Sequence, residues 1–296
     1  MELRHLRYFV AVAEELHFGR AAARLRVAQP ALSQQIKRLE AKLGVELLTR
    51  TKRHVELTAP GRLFLVEARR TLAQAELAAT MARRAAAGEE GRLRIGYVDA
   101  ALWGVLPSVL RVFQTEYPAV EVSLVERLPA QQAAGLAARR LDVGIGPPPP
   151  SVEIESVLIV EEPLVAALPA GHRLAADAEV DLAALATDPW VLLPAKLRSP
   201  LRETVVAACA AAGITPQVRQ VARQLDAVVA LVSAGLGVTL VPRSAERVSR
   251  EGVIFRPLRG VDTRFRLAAA WHGTDASPTA VSFLAVLQRE IAEAGE

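Results

Sequence analysis

FGRAAARLRVAQPALSQQIK, residues 18–37, reads as two short helices joined by a tight turn. Phe18, Ala21, Ala22 and Leu25 recur at helical spacing on one face of the first. Arg26-Val27-Ala28 makes the turn. Pro30 follows where a first helical turn tolerates proline, because its missing N–H would be unpaired there anyway. The second helix should run to about Lys42 and stop at Gly44, a residue suited to a left-handed cap. Its apolar residues Leu32, Ile36, Leu39 and Leu43 form one narrow stripe. Pro30, Ser33, Gln34, Lys37 and Arg38 occupy the opposite arc. An amphipathic helix with a solvated face would look similar. However, Leu6, Phe9, Val10 and Ala13 add a helix in front, and the three-helix spacing is that of a head that lays its last helix in the major groove of DNA. Gln can read adenine through two hydrogen bonds, and Ser can serve base or phosphate. Lys37 and Arg38 suit phosphates.

Residues 47–58, LLTRTKRHVELT, read as two short strands around a basic tip. Arg50, Lys52 and Arg53 on such a wing suit a phosphate backbone or the minor groove. His54 has no second metal ligand at useful spacing and reads as surface. Thr58 can cap a long helix from about Pro60 to Ala87, about 42 Å in length at 1.5 Å per residue. Leu65, Ala68, Leu72, Ala75, Ala79, Ala82 and Ala86 keep 3,4 heptad spacing, which reads as a small-residue coiled-coil seam. The competing reading packs this stripe against the chain's own body. The charged remainder of the helix favours pairing of two chains. Residues 85–91 read as a hinge.

Charge supports this division. Residues 1–91 hold 16 Lys/Arg against 10 Asp/Glu, whereas residues 92–296 hold 20 against 22. A basic head on a near-neutral body suits a polyanion partner. The 296 residues are 51% hydrophobic, enough to bury more than one core. Cys209, the single cysteine, excludes an intrachain disulfide and reads as core. No apolar run reaches membrane-spanning length, and the charged opening lacks the form of a signal peptide. A cytoplasmic protein without membrane association is expected.

Residues 1–61, MELRHLRYFVAVAEELHFGRAAARLRVAQPALSQQIKRLEAKLGVELLTRTKRHVELTAPG, resemble the DNA-binding head of the LysR-type transcriptional regulators without a gap. The likeness continues, more loosely, along the full length. From LRIGYVDAALWGVLP onward it is greatest to the branch that senses muconate in aromatic-compound degradation. The resemblance implies DNA contacts at Gln29, Pro30, Ser33, Gln34 and Arg53. It implies a dimer paired through linker helices, two dimers forming a homotetramer, and RNA polymerase as a candidate partner. It also implies a body of two α/β lobes joined by two crossovers, near Glu161–Glu162 and Thr263–Arg264, like periplasmic solute-binding proteins. The expected α/β organisation is a winged helix-turn-helix over 1–58, a linker helix over 59–88, lobe I over 92–161 plus 266–296, and lobe II over 162–265.

The body carries strand–helix punctuation that predicts a mostly parallel sheet. Strands are expected at 93–98, 120–126, 142–146, 163–168, 190–193, 218–221, 238–241, 253–256 and 264–272, with helices at 103–116, 129–140 and 277–292. In such folds a ligand sits between lobes, at strand ends and helix N-termini, which favours an anion. Topology places Asp99, Ala100, Leu128, Pro129, Pro147, Arg198, Ser199, Arg202 and Gln224 there. In muconate-sensing relatives a small hydroxyl residue tends to stand at the position of Asp99, another near Pro129, and an Arg near Pro147. The carboxylate and prolines here argue against muconate, and Arg198 or Arg202 would admit a monoanion or zwitterion. The run Pro147–Pro150 is expected to stiffen the rim.

An enzyme with an appended head is the rival class. The chain has no nucleophile elbow, P-loop or dinucleotide fingerprint. Its five His (His5, His17, His54, His172, His272) do not cluster with Cys or carboxylates. A solute-binding protein is the third reading, and the head argues against it. Double-stranded DNA and a small-molecule co-inducer are therefore the expected partners, with no cofactor or metal.

Overall fold

The computed structural model describes residues 1–50, 54–148, 154–248, 250–273 and 275–295. The chain divides into two units, Met1–Arg84 and Ala85–Glu296, each with its own core.

The first unit runs α1 (Leu3–Glu15), α2 (Phe18–Leu25), α3 (Gln29–Leu43), β1 (Leu48–Arg50), β2 (Val55–Leu57) and α4 (Ala59–Ala86). α2 ends at Arg26 and α3 at Gly44, both in the left-handed region. Phe9, Val12, Leu32 and Ile36 are fully buried between the helices. Phe64 of α4 meets Phe9 edge-on, with ring centroids 5.1 Å apart. Thr58 caps α4: its hydroxyl accepts the Gly61 N–H at 2.9 Å and donates to the Glu46 carbonyl at 2.7 Å. A Cβ on Gly61 would lie 2.0 Å from the Leu47 carbonyl oxygen, so glycine alone lets the helix start this close to the wing.

The heptad seam does not present one continuous face for a partner. Its first part closes the head instead: Ala68 is buried, and Leu65 and Leu72 pack on the same core as Phe9. Leu63, Val66, Leu77 and Met81 are the large apolar side chains that α4 leaves exposed. At 100° per residue they and Ala73 lie within an arc of about 80°, opposite Leu65, Ala68 and Leu72.

The second unit begins with β3 (Gly91–Tyr97), α5 (Ala100–Trp103), α6 (Leu106–Glu116), β4 (Val120–Glu126), α7 (Pro129–Ala137) and β5 (Val143–Gly146). β6 (Ile154–Pro169), β7 (Pro189–Leu192), α8 (Pro200–Ala211), β8 (Gln217–Val221) and α9 (Leu225–Ser233) follow. β9 (Thr239–Pro242), β10 (Val253–Pro257), β11 (Arg264–His272) and α10 (Pro278–Gly295) complete it. β3 pairs in parallel with β4 and β5, and β11 joins β5 antiparallel. β6 is shared: Ile154–Pro163 pairs antiparallel with β11, and its later residues pair antiparallel with β9 and β10. β7 and β8 form a separate parallel pair.

The result is a two-lobed α/β body with a mixed sheet, not the mostly parallel one that the strand–helix alternation suggests. The strand expected at 163–168 begins nine residues earlier, at Ile154. The helix expected over 103–116 starts at Leu106 and is preceded by the separate α5, because the backbone leaves helical geometry at Gly104. Each lobe has an aromatic centre. Phe113 stacks on Tyr117 at 4.9 Å and meets Phe283 of α10 edge-on at 5.4 Å. Trp190 is fully buried, its indole N–H donating to the Leu185 carbonyl at 3.2 Å.

Candidate functional site

The polar face of α3 is the first candidate. Gln29, Pro30, Gln34, Lys37 and Arg38 are exposed on it, and Ser33 is half-buried. Among the described residues no hydrogen bond engages the side chains of Gln29, Gln34, Lys37 or Arg38, so they are available to a partner. Glu40 on the same helix does the positioning. One of its carboxylate oxygens accepts the Leu47 and Leu48 N–H groups at 3.0 and 3.1 Å. The other takes Arg50 at 2.6 Å. Arg50, expected on the backbone-facing wing, is turned inward. Its guanidinium also donates to the Ser33 hydroxyl at 3.4 Å and lies 4.9 Å from the centre of the Phe18 ring. It therefore fixes the wing against α3 and orients Ser33. Lys52 and Arg53 lie outside the described residues.

The second candidate is a cavity of about 390 Å³ between the lobes of the second unit, within the range of small-molecule sites. Of the residues that topology suggests, Asp99, Ala100, Leu128, Pro129, Pro147, Ser199 and Gln224 line it. Arg198 and Arg202 do not. Arg198 is exposed and ends the short turn Ala195–Leu197, and the Arg202 Nε donates to the Leu193 carbonyl at 2.8 Å. The cations at the wall are Arg127 and Arg223, which share a mixed lining with Glu126, Asp99, Gln131 and the apolar Leu193 and Phe265. Neither Arg forms an ion pair among the described residues. Pro149 and Pro150 lie outside the described residues, and Pro147 is half-buried at the cavity wall.

Three helices of useful length start at this cavity, and their first turns differ. α7 has little to offer, because Pro129 lacks an N–H and the Leu128 N–H is taken by Gln131 Oε1 at 3.2 Å. α9 is capped at its first N–H, which Leu225 donates to Asp99 Oδ2 at 2.9 Å, and Asp226 puts a carboxylate into its first turn. α8 is open. Ser199 stands at its N-cap without a side-chain cap bond, and among the described residues its hydroxyl and the Leu201 N–H at the cavity wall have no partner, which leaves both for a ligand. Burial pushes the Asp99 carboxyl above the usual carboxylate range, against the two backbone N–H groups that favour its anion.

One positioning residue escapes sequence reasoning. Gln132 is buried in α7, and its amide donates to the Arg127 carbonyl at 2.9 Å and the Ile145 carbonyl at 3.3 Å. It thereby holds the segment bearing Arg127 and Leu128 against the ends of β4 and β5. Gly144 makes room for it, since a Cβ there would approach Gln132 Oε1 to 2.8 Å. The available signal was a glutamine in an apolar helix facing a glycine-bearing strand.

Cys209 is buried in α8, and desolvation raises its thiol to about 11. It is a core residue with little thiolate. Among the described residues no group of three or more His, Cys, Asp or Glu is placed to hold a metal, and no helix is long and apolar enough to cross a membrane.

Residues 3–62 match the model of the bacterial regulatory helix-turn-helix proteins of the lysR family, and residues 86–292 match the LysR substrate binding domain. The Hca operon transcriptional activator HcaR of Escherichia coli (strain K12) is 40% identical, over 99% of this chain and 99% of its own length. The HTH-type transcriptional regulator AlsR of Bacillus subtilis (strain 168) is 38% identical, over 96% of this chain and 94% of its own. Full-length CbnR complexed with its target DNA superposes with a TM-score of 0.86 at 32% identity, covering 98% of this chain and all of that one.

Proposed function

The chain belongs to the LysR family of bacterial transcriptional regulators, and we propose that its interlobe cavity takes a small monoanionic or zwitterionic effector that adjusts DNA binding by the α3 face. The open first turn of α8 carries this reading: the Leu201 N–H and the Ser199 hydroxyl, both unpartnered among the described residues, offer an anion two donors. Arg127 and Arg223 add positive charge. Glu126 and Asp99 suit an amino group at the other end of the ligand.

The likeness to the muconate-sensing branch is then one of scaffold, not of ligand. A second carboxylate would meet Asp99 across a poorly screened cleft. Calorimetric titration with cis,cis-muconate is expected to give no binding in this cavity, and tight binding there would overturn the reading. A thermal-shift screen of monocarboxylates and amino acids should find a stabilising ligand that Ser199→Ala weakens.

At the other end, Gln29, Pro30, Ser33 and Gln34 meet bases, and Lys37, Arg38, Lys52 and Arg53 meet phosphates. We place the head at 1–58, the linker at 59–88, lobe I at 92–161 plus 266–296 and lobe II at 162–265. Two chains pair through α4 on the exposed strip Leu63–Val66–Ala73–Leu77–Met81, and two such dimers form a tetramer. RNA polymerase is a further candidate partner. A mobility-shift assay on the DNA upstream of the protein's own gene tests the whole reading. Failure of a folded dimer to bind at low salt would remove it.

A further inference from the structure

Asp99 precedes α5 and Trp103 ends it, both on lobe I, while Leu225 and Asp226 open α9 on lobe II. Asp99 Oδ2 accepts the Leu225 N–H at 2.9 Å, and Oδ1 accepts the Ala100 N–H at 2.9 Å. The Trp103 indole N–H donates to Asp226 Oδ1 at 3.0 Å. The two interlobe bonds run in opposite senses: lobe I supplies one acceptor and one donor, and lobe II the converse. α9 has no side-chain cap from its own Gln224, and its first N–H has no partner within the helix. The cap comes from 126 residues away.

We infer that Asp99 is a tethered anion: it fills the α9 N-terminus in place of an effector's carboxylate and, with the Trp103–Asp226 bond, clasps the two lobes. In this role Asp99 is a specificity determinant. It removes one of the cavity's two anion cradles and leaves α8 for the ligand. That consequence rests on the effector reading above, whereas the clasp itself does not. A carboxylate in the α9 position has the geometry of a bound ligand, but its attachment to the chain spares the entropy of capturing a free one.

The full-length protein carrying Asp99→Ala tests the inference, with acetate as the probe and chloride at equal ionic strength as the control. The variant should melt about 3 °C or more below the parent. Acetate should restore the loss in a concentration-dependent way and stabilise the variant more than the parent, in which α8 alone is open to it. An unshifted melting point, or an equal response of both proteins to acetate, overturns the proposal. Hydrogen exchange on the unaltered, ligand-free protein gives a reading that does not need the variant to fold. The Leu225 amide should exchange as slowly as the interior of α9; exchange at the rate of an open helix end refutes the clasp. Neither measurement uses an effector, so their outcome is separable from the existence of one.

Discussion

Single residues divide here into those that face a partner and those that hold them in place. Gln34 is exposed on α3 and has no side-chain hydrogen bond among the described residues, so Gln34→Ala should leave the fold intact. It should cost about 1–3 kcal/mol at the preferred operator sequence and less elsewhere. Equal loss on all sequences, measured by competition binding, would take base reading away from it. Arg50→Ala should act differently. It strips the half-buried Glu40 carboxylate of its cation and loosens Ser33. A loss of about 1–3 kcal/mol in the stability of the head is expected in denaturant titration. Asp99 adds a pH effect. Its carboxyl is raised by burial, so the folded chain holds that proton more tightly than the unfolded one. The associated stability is complete below the ordinary value of 3.8 and falls as pH rises through the raised value. Asp99→Ser should flatten the stability–pH curve in that range.

The residue scale also marks the limit of what a linear reading can reach. The exposed arc of α3 was legible because helical periodicity alone sorts Gln34 from Ile36. Nothing local tells Arg50 that Glu40 waits ten residues back. Nothing at all in the vicinity of Asp99 announces Leu225. The cavity wall was legible where a strand end and a helix start coincide, as at Leu128-Pro129. It was misread at Arg198 and Arg202, whose direction depends on one left-handed residue and one carbonyl.

Among the elements, α4 teaches most. Its heptad spacing is real, yet the same stripe serves the head's core in its first turns. Period reports that a face is apolar, and not which neighbour covers it. The exposed strip on the opposite side is the sharper candidate for pairing, and it contains larger side chains. Leu77→Glu should dissociate the dimer in sedimentation velocity, whereas Ala79→Ser should not. The reverse ranking would restore the alanine seam. β6 was half-visible for a different reason. Pro163 reads as a strand boundary, but here it stands inside a long strand, facing Arg264 across the ladder.

For the whole molecule, charge and salt give the most direct check. The basic excess is confined to the first 91 residues, so salt should weaken DNA binding through the head alone. Replacing Lys37 and Arg38 together by Ala should reduce the log–log salt slope by up to about 1.8 per head if each meets one phosphate. An unchanged slope would remove both from the backbone contacts.

β6 and β11 carry the chain between the lobes as neighbours in one ladder, Arg264 beside Pro163 and Phe265 beside Glu162. The lobes are thus joined by a ribbon of two hydrogen-bonded strands, with no loose tether. A ribbon of that kind resists in-plane bending and yields to torsion. Any opening of the lobes is therefore expected to follow a rotation about the ribbon axis. A ligand that drew the lobes together would thus act by changing the twist of this ribbon, in the manner of a torsion balance.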